Sequence, residues 1–370
     1  MSHKIFIITG EPSGDLHGSN LVTELLAQDS ALSIQCWGGD RMKAAGAEVL
    51  KHIDDLAFMG FVEVAVNLRT ILKNFDLCTE HIRTFQPDLV VLMDYPGFNL
   101  RMAKRVKEMG IPVAYYISPQ IWAWKESRVQ KIKKYIDHVF VILPFEKAFY
   151  EKHGVPAEYV GHPLLDELKH IHVDPLQFRA KHGLDERPII ALLPGSRKQE
   201  ISLLLTPIAE IIPQFPDHQF VVSKVTWQPA SLYSQLPNSV SVIEGNTYDL
   251  LSLSEAAIVT SGTATLETAL IGAPQVVVYK ANPLSVWIAR QLIKVKFISL
   301  VNLIMDREVV KELIQDQVNS KNLEKELKKV LADGESRATV LTAYAALKEK
   351  LGEKGASRFV ASRLLKIIGP

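Results

Sequence analysis

Three short stretches of the chain carry residue types from which chemistry can be built. The first is Leu193-Pro-Gly-Ser-Arg197, which ends an apolar run (189–193) and precedes helical spacing from 201 to 215. A buried strand, a tight turn and a helix N-terminus leave unpaired backbone N–H groups beside Gly195, Ser196 and Arg197, a setting for an anion and above all for a phosphate. The second stretch, Ser261-Gly-Thr-Ala-Thr-Leu-Glu267, repeats this arrangement after residues 257–260. Two phosphate-type corners in one half of the chain imply a nucleotide diphosphate ligand. Arg197 would add charge-assisted bonds of roughly 1.5–3 kcal/mol each, and the helix end starting at Ser261, Gly262 and Thr263 roughly 0.3–1 kcal/mol more. Glu267 lies one turn beyond Thr263 on the same helix face, either accepting two ribose hydroxyls or standing as an exposed helical glutamate.

The third stretch is acidic. Gly10-Glu-Pro-Ser-Gly-Asp15 joins a strand to a helix, but Gly10, Gly14 and Gly18 do not fall in the order that lets backbone approach a pyrophosphate. Glu11 and Asp15 would repel phosphate there and suit the hydroxyls of a sugar. The alternative is a turn in which Asp15 only caps the helix. Asp94 ends the run 88–94 and precedes Tyr95-Pro-Gly-Phe98. Beyond the carboxyl end of a parallel strand, flanked by Tyr95 and Phe98, it is placed to act as a general base with a raised pKa. An aspartate before Pro-Gly is equally an ordinary turn former.

Ser118-Pro-Gln-Ile-Trp-Ala-Trp124 also follows a strand. Trp122 and Trp124 are either apolar walls for a sugar face or acyl chain, or core. The basic run Lys125, Arg128, Lys131, Lys133 and Lys134 reads as a solvated face or as a patch for anionic lipid or a phosphorylated substrate. His170 and His172 alternate like a strand pair but have no further ligands near them in sequence. No Asp-x-Asp pair for magnesium, no His/Cys cluster for zinc and no G-x-S-x-G elbow is found. Neither a metal nor a cofactor is therefore expected, which fits a site where Arg197 and the helix end could together stabilise a departing nucleoside diphosphate.

Alternating elements position these corners. Apolar strands at 5–9, 89–93, 113–117 and 139–142 are separated by helices such as 19–27 and 101–109. The rhythm breaks over 154–174, whose later part reads as an interdomain linker. It resumes with strands at 189–193, 220–223, 240–243, 257–260 and 276–279. Strands alternating with helices imply right-handed crossovers and parallel sheets, so the expected architecture is α/β, two Rossmann-like domains facing a cleft. After about Lys321 the chain is charged and helical, and residues 356–368 read as a terminal helix packing on one domain.

The totals agree. A chain of 370 residues is too long for one ordinary core. Apolar residues make up 47% and charged residues 22%, leaving little room for disorder. A net charge of +1 gives no global field toward nucleic acid. Cys36 and Cys78 are the only cysteines, which fits a reducing compartment. With no signal peptide and no apolar run near the ~18 residues that span a bilayer, a cytoplasmic protein is expected.

Taken together, Gly10-Glu-Pro-Ser-Gly-Asp15, Asp94, Ser118-Pro-Gln-Ile-Trp-Ala-Trp124, Gly161-His-Pro163, Leu193-Pro-Gly-Ser-Arg197, Ser261-Gly-Thr-Ala-Thr-Leu-Glu267 and Asn302 with Arg307-Glu308 resemble the lipid A disaccharide synthase family, from the first strand to about Gln315. The resemblance implies an inverting, metal-independent glycosyltransferase of the GT-B fold. It would transfer the sugar of UDP-2,3-diacylglucosamine to the 6-hydroxyl of 2,3-diacylglucosamine 1-phosphate (lipid X), giving a β-1,6-linked disaccharide phosphate and UDP. It further implies an acceptor-binding domain over 1–168, a UDP-sugar-binding domain over 169–345 and a helical segment over 346–370 that packs back on the N-terminal domain. Asp94, Glu11 and Asp15 would be catalytic, and Arg197, the 261–267 corner and Asn302 would bind UDP. Ser13, Trp122, Trp124, Phe58 and Phe61 would meet the acceptor or its acyl chains.

Acylated substrates imply contact with the inner-membrane surface, for which 57–68 and 287–303 (with Arg290, Lys294 and Lys296) are apolar candidates. A UDP-N-acetylglucosamine epimerase, a peptidoglycan lipid glycosyltransferase and a non-catalytic nucleotide-sugar-binding protein are the rival readings. An NAD-linked oxidoreductase is disfavoured by the missing phosphate fingerprint.

Overall fold

The computed structural model describes residues 3–56, 68–124, 126–168, 171, 173–282, 295–353 and 355–369, without the side chains of residues 68, 69, 71 and 124. The chain forms two compact units, Met1–Asp166 with Gly352–Pro370, and Glu167–Leu351.

The first unit is built on seven strands: β1 (Lys4–Ile8), β2 (Ser33–Gly38), β3 (Glu48–His52), β4 (Leu89–Met93), β5 (Val113–Tyr116), β6 (His138–Val141) and β7 (Ala157–Tyr159). They form one sheet in the order β3-β2-β1-β4-β5-β6-β7, and every pairing is parallel. β1 and β4 are almost wholly buried because helices cover both faces, and their runs are correspondingly apolar. On one face Phe6, Ile8, Val90, Leu92 and Tyr115 pack with Trp37, Phe75 and Phe98. On the other, Ile5, Ile7, Leu89, Val91 and Ala114 pack against Leu21, Val22 and Leu25 of the helix Pro12–Gln28. Val360, Ala361 and Leu364 of the terminal helix Ala356–Ile368 join this second layer. Each Val, Leu or Ile side chain here contributes roughly 1.5–3 kcal/mol on full burial. Ser362 Oγ to Gln28 Oε1 at 2.7 Å and Arg363 Nε to Glu158 Oε2 at 3.0 Å tie down the exposed rim of that helix.

The second unit repeats the plan with β8 (Ile189–Leu193), β9 (Gln219–Lys224), β10 (Ser241–Glu244), β11 (Ser254–Thr260), β12 (Gln275–Tyr279) and β13 (Lys311–Ile314). These six strands are parallel and run in the order β10-β9-β8-β11-β12-β13. In both sheets the order reverses beside the first strand, between β1 and β4 and between β8 and β11. Ligands of open α/β sheets bind beyond the carboxyl ends of strands at such a reversal.

The structure departs from the expected elements in two instructive ways. Strands β2, β3, β7 and β13 lie toward the sheet margins with mixed polar sequences, so they lack the solid apolar run that marks a central strand. The first helix begins at Pro12 rather than 19, which puts Gly14 and Gly18 inside it. These glycines serve close packing. A Cβ on Gly14 would lie 1.8 Å from Thr9 Oγ1, and one on Gly18 2.7 Å from Met42 Sδ.

Candidate active site residues at the two switch points

At the first switch point, Glu11 follows β1 as the N-cap of the helix Pro12–Gln28, and Asp94 follows β4. Asp94 and Tyr95 both adopt left-handed backbone, with φ of 44° and 45°. For residues bearing a Cβ this costs on the order of 1 kcal/mol or more apiece and needs external support. Some of that support is aromatic. Tyr95 stacks on Phe98 at 5.5 Å, and Phe98 stacks on Phe75 at 4.5 Å and on Trp37 at 5.6 Å. Gly10 makes room, since a Cβ there would come within 2.5 Å of the Tyr95 ring.

These surroundings dehydrate the Asp94 carboxylate. Burial first, and then the neighbouring Glu11 charge, raise its pKa to about 6 against a smaller opposing bond from the Tyr95 N–H. An acid poised there is mostly ionised at neutral pH yet basic enough to take a proton.

Asp15 is a correction to the sequence reading. It is buried and accepts N–H groups from Gly39 at 2.7 Å, Arg41 at 3.1 Å and Met42 at 3.1 Å. Both carboxylate oxygens are thus engaged at the start of the short helix Asp40–Ala44, and the residue clamps that turn. A capping role holds in kind, but the helix it caps is a different one. Ser13 is exposed in the first turn of its helix.

Trp122 is half-buried, and its Nε1 donates to Glu146 Oε1 at 3.0 Å. Glu146 is itself buried, accepts the N–H groups of Leu143 (3.0 Å) and Ile142 (3.2 Å) through Oε2, and is pushed up to about 7 by burial. Phe58 and Phe61, the Trp124 side chain, Lys125, His170, His172, Arg290 and Lys294 lie outside the described residues. Lys296 is exposed and pairs with Asp306 Oδ1 at 3.7 Å.

At the second switch point, Gly195 turns the chain with φ of 111°. A Cβ there would meet Glu200 Oε2 at 2.9 Å and Thr260 Cγ2 at 3.3 Å. Arg197 is the N-cap of the helix Lys198–Ile211, and its side chain is 74% exposed. It is paired with Glu200 Oε1 at 3.2 Å, an exposed contact of little intrinsic worth from which an incoming anion can draw it. The Ser196 carbonyl accepts Trp227 Nε1 and Gln228 Nε2, both at 3.1 Å, which fixes the orientation of the loop's backbone. Trp227 itself is 62% exposed.

Across the reversal, Gly262 caps the helix Thr263–Ile271 with φ of 153°, and no atom lies within 4 Å of a Cβ built there. Ser261 Oγ is anchored to the Ile298 carbonyl at 2.7 Å. Thr263 is exposed at the helix start, where the first-turn amides lack intrahelical partners. Glu267 accepts the Tyr248 hydroxyl at 3.1 Å, and its pKa is raised chiefly by burial.

Asn302 is the second correction. It is fully buried and its amide is saturated: Nδ2 donates to Val310 O and Glu312 Oε1, both at 2.9 Å, while Oδ1 accepts Val309 N at 2.7 Å and Val310 N at 3.0 Å. It fastens the loop before β13 through all four of these bonds.

Two residues at the second corner, Glu200 and Trp227, escape a reading of the sequence. They stand in no motif, and only Trp227, a large aromatic in a polar stretch, offers a sign.

The chain matches a family model described as Lipid-A-disaccharide synthetase over residues 5–364. Lipid-A-disaccharide synthase of Geobacter sulfurreducens is 39% identical over 100% of this chain and 98% of its own length. That of Trichlorobacter lovleyi is 40% identical over 99% and 97%. Among solved structures, UDP-GlcNAc 2-epimerase from Neisseria meningitidis bound to UDP-GlcNAc superposes with a TM-score of 0.70 at 15% identity, covering 98% of this chain and 100% of its own. The glycotransferase of kitacinnamycin does so with 0.70 at 14%, covering 100% of both. At such identities these likenesses show the fold, two parallel-sheet α/β domains of the kind shared by GT-B glycosyltransferases and epimerases.

Proposed function

The chain belongs to the lipid-A-disaccharide synthase family, and from that premise we propose how its two units divide the reaction. It is a glycosyltransferase that makes the lipid A disaccharide. Its donor is UDP-2,3-diacylglucosamine and its acceptor 2,3-diacylglucosamine 1-phosphate. A single inverting displacement at the anomeric carbon forms the β-1,6 bond and releases UDP. Asp94 takes the proton of the acceptor 6-hydroxyl as the oxygen attacks. The observation that carries this reading is a half-buried carboxylate standing beyond β4 at the switch point beside Glu11, its pKa raised to about 6 chiefly by that burial. Glu11, beside it, orients the sugar hydroxyls and holds that pKa up.

On the donor side, the negative charge that develops on UDP meets Arg197 and the first-turn amides beginning at Thr263, with Gly195, Ser196, Ser261 and Gly262 allowing backbone approach. Such preset donors act where charge appears in the transition state, so the residues suffice without a metal. Glu267 takes the ribose hydroxyls in place of the Tyr248 bond. Trp122, braced by Glu146, and Ser13 serve the acceptor side, and Phe58, Phe61 and Trp124 are assigned to the acceptor or its acyl chains from the sequence alone.

The protein works in the cytoplasm, peripherally on the inner face of the bacterial inner membrane, where acylated substrates reside. No helix among the described residues is long and apolar enough to cross a membrane. Exposed Arg358, Phe359, Arg363 and Lys366 form one stripe of the terminal helix with the chemistry for such a surface.

The deciding experiment supplies UDP-diacylglucosamine with and without the monosaccharide phosphate. UDP release together with a disaccharide phosphate on thin-layer chromatography, both dependent on the diacylated acceptor, is the expected result. Acceptor-independent release, or epimerisation of UDP-N-acetylglucosamine, would overturn it.

A further inference from the structure

The left-handed pair Asp94–Tyr95 is held by a device that acts on main chain alone. Asn99 stands in the first turn of the helix Pro96–Glu108 and is fully buried. Its Nδ2 lies 2.8 Å from the Asp94 carbonyl oxygen, 3.0 Å from that of Met93 and 3.4 Å from that of Ile8. One side-chain amide therefore gathers the ends of β4 and β1 and the corner between them. The Asn99 backbone N–H donates to the Tyr95 carbonyl at 3.0 Å, closing the corner onto the helix. From the end of β5, the Tyr115 hydroxyl donates to the same Asp94 carbonyl at 2.5 Å. A third brace is the Asp94 N–H, which donates to the Ile117 carbonyl at 3.3 Å.

We infer that Asn99, seconded by Tyr115, is a positioning residue for the transfer reaction: by fixing the Asp94 carbonyl it holds the Asp94 carboxylate in the place from which the acceptor hydroxyl is deprotonated. The inference rests on the reading of Asp94 as the base. Neither side chain needs to touch substrate. A non-glycine residue leaves the left-handed region once nothing holds it there. If the Asp94 carbonyl is released, the corner relaxes, the carboxylate turns toward water, and both its aim and its dehydration are lost. Groups that face Asp94 from the elements around it are Glu11, Tyr95 and Tyr115, and these variants leave the Glu11 charge in place.

The test compares Asn99→Ala and Tyr115→Phe with the unmodified enzyme and with Asp94→Asn, using full-length protein, UDP-diacylglucosamine and the monosaccharide phosphate. Expected is a fall in kcat of roughly ten- to a hundredfold for Asn99→Ala and less for Tyr115→Phe, with KM for the UDP-sugar unchanged. The acid limb of the kcat profile should also move from about 6 toward the ordinary aspartate value of about 4. If the rate falls while the limb stays near 6, the role is structural only and the inference fails. Tyr115→Phe removes one hydroxyl and decides the matter if Asn99→Ala does not fold. An unmoved limb in Asp94→Asn would instead defeat the base assignment itself, whatever the Asn99 variants do.

Discussion

The two switch points share one topology and differ in almost everything that chemistry uses. Between β1 and β4 the backbone is strained, the side chains are aromatic and acidic, and the key carboxylate is dehydrated. Between β8 and β11 the corners turn on Gly195 and Gly262, the helix starts are exposed, and the main cation is a surface arginine held by a replaceable partner. On the proposed function, the contrast follows from what each corner would handle. A base works better when water is withdrawn from it, because desolvation raises its pKa toward the working range. A diphosphate carries its own charge and needs amides and a guanidinium that it can reach. On that proposal, one fold serves opposite needs through the residues that follow its central strands.

That contrast can be broken by substitution, and the largest effect belongs to the first corner. Asp94→Asn should lower turnover by roughly 10²–10⁴-fold while leaving UDP affinity within about twofold, as read by initial rates and calorimetric titration. Near-normal turnover would shift the base to Glu11.

Asp15→Ala, one turn into the neighbouring helix, should act on stability instead. Three N–H groups lose a charged acceptor, for roughly 3 kcal/mol in denaturant unfolding, while UDP titration stays unchanged. A folded, fully stable but inactive Asp15→Ala enzyme would restore it to catalysis.

In the second corner, Arg197→Ala should weaken UDP binding by roughly ten- to a hundredfold without moving the melting temperature, since the side chain is largely exposed. Unchanged UDP affinity would remove it from the diphosphate site.

The smallest effect sharpens the electrostatics. The rate should fall below pH 6 as Asp94 takes up a proton. Because the Glu11 charge disfavours a second negative charge nearby, Glu11→Gln should make Asp94 easier to ionise and move that limb to lower pH, by less than about one pH unit. A limb that stays put or rises would mean the two carboxylates do not interact.

Much of the fold and part of the candidate site are legible in the residues alone, for physical reasons that can be named. Central strands such as β1, β4, β8 and β11 are buried, so their apolar runs stand out, and the loops behind them are easy to inspect for glycine and charge. Marginal strands escape because β3 and β13 carry Glu48, Lys51, Lys311 and Glu312 and look like loops. Gly14 and Gly18 mislead for a related reason, since a glycine required by a close neighbour looks the same in sequence as one required by a turn. Motif membership also blurs Asp15 and Asn302, whose partners at Gly39, Met42, Val310 and Glu312 lie on other segments of the chain.

By itself the sequence determined the alternation of strands and helices, the two glycine-bearing corners and the acidic loop, because these depend on residue type and local spacing, and its motifs carried the resemblance to the family. Only the tertiary structure decided which polar groups remain available after folding. It engaged Asp15 and Asn302 with backbone, and it half-buried Asp94 beside Glu11. It also brought Asn99 and Tyr115 from a helix and another strand onto the one carbonyl that holds the corner. Those outcomes depend on contacts between distant segments and on the withdrawal of water, and neither quantity is written in any local stretch of residues.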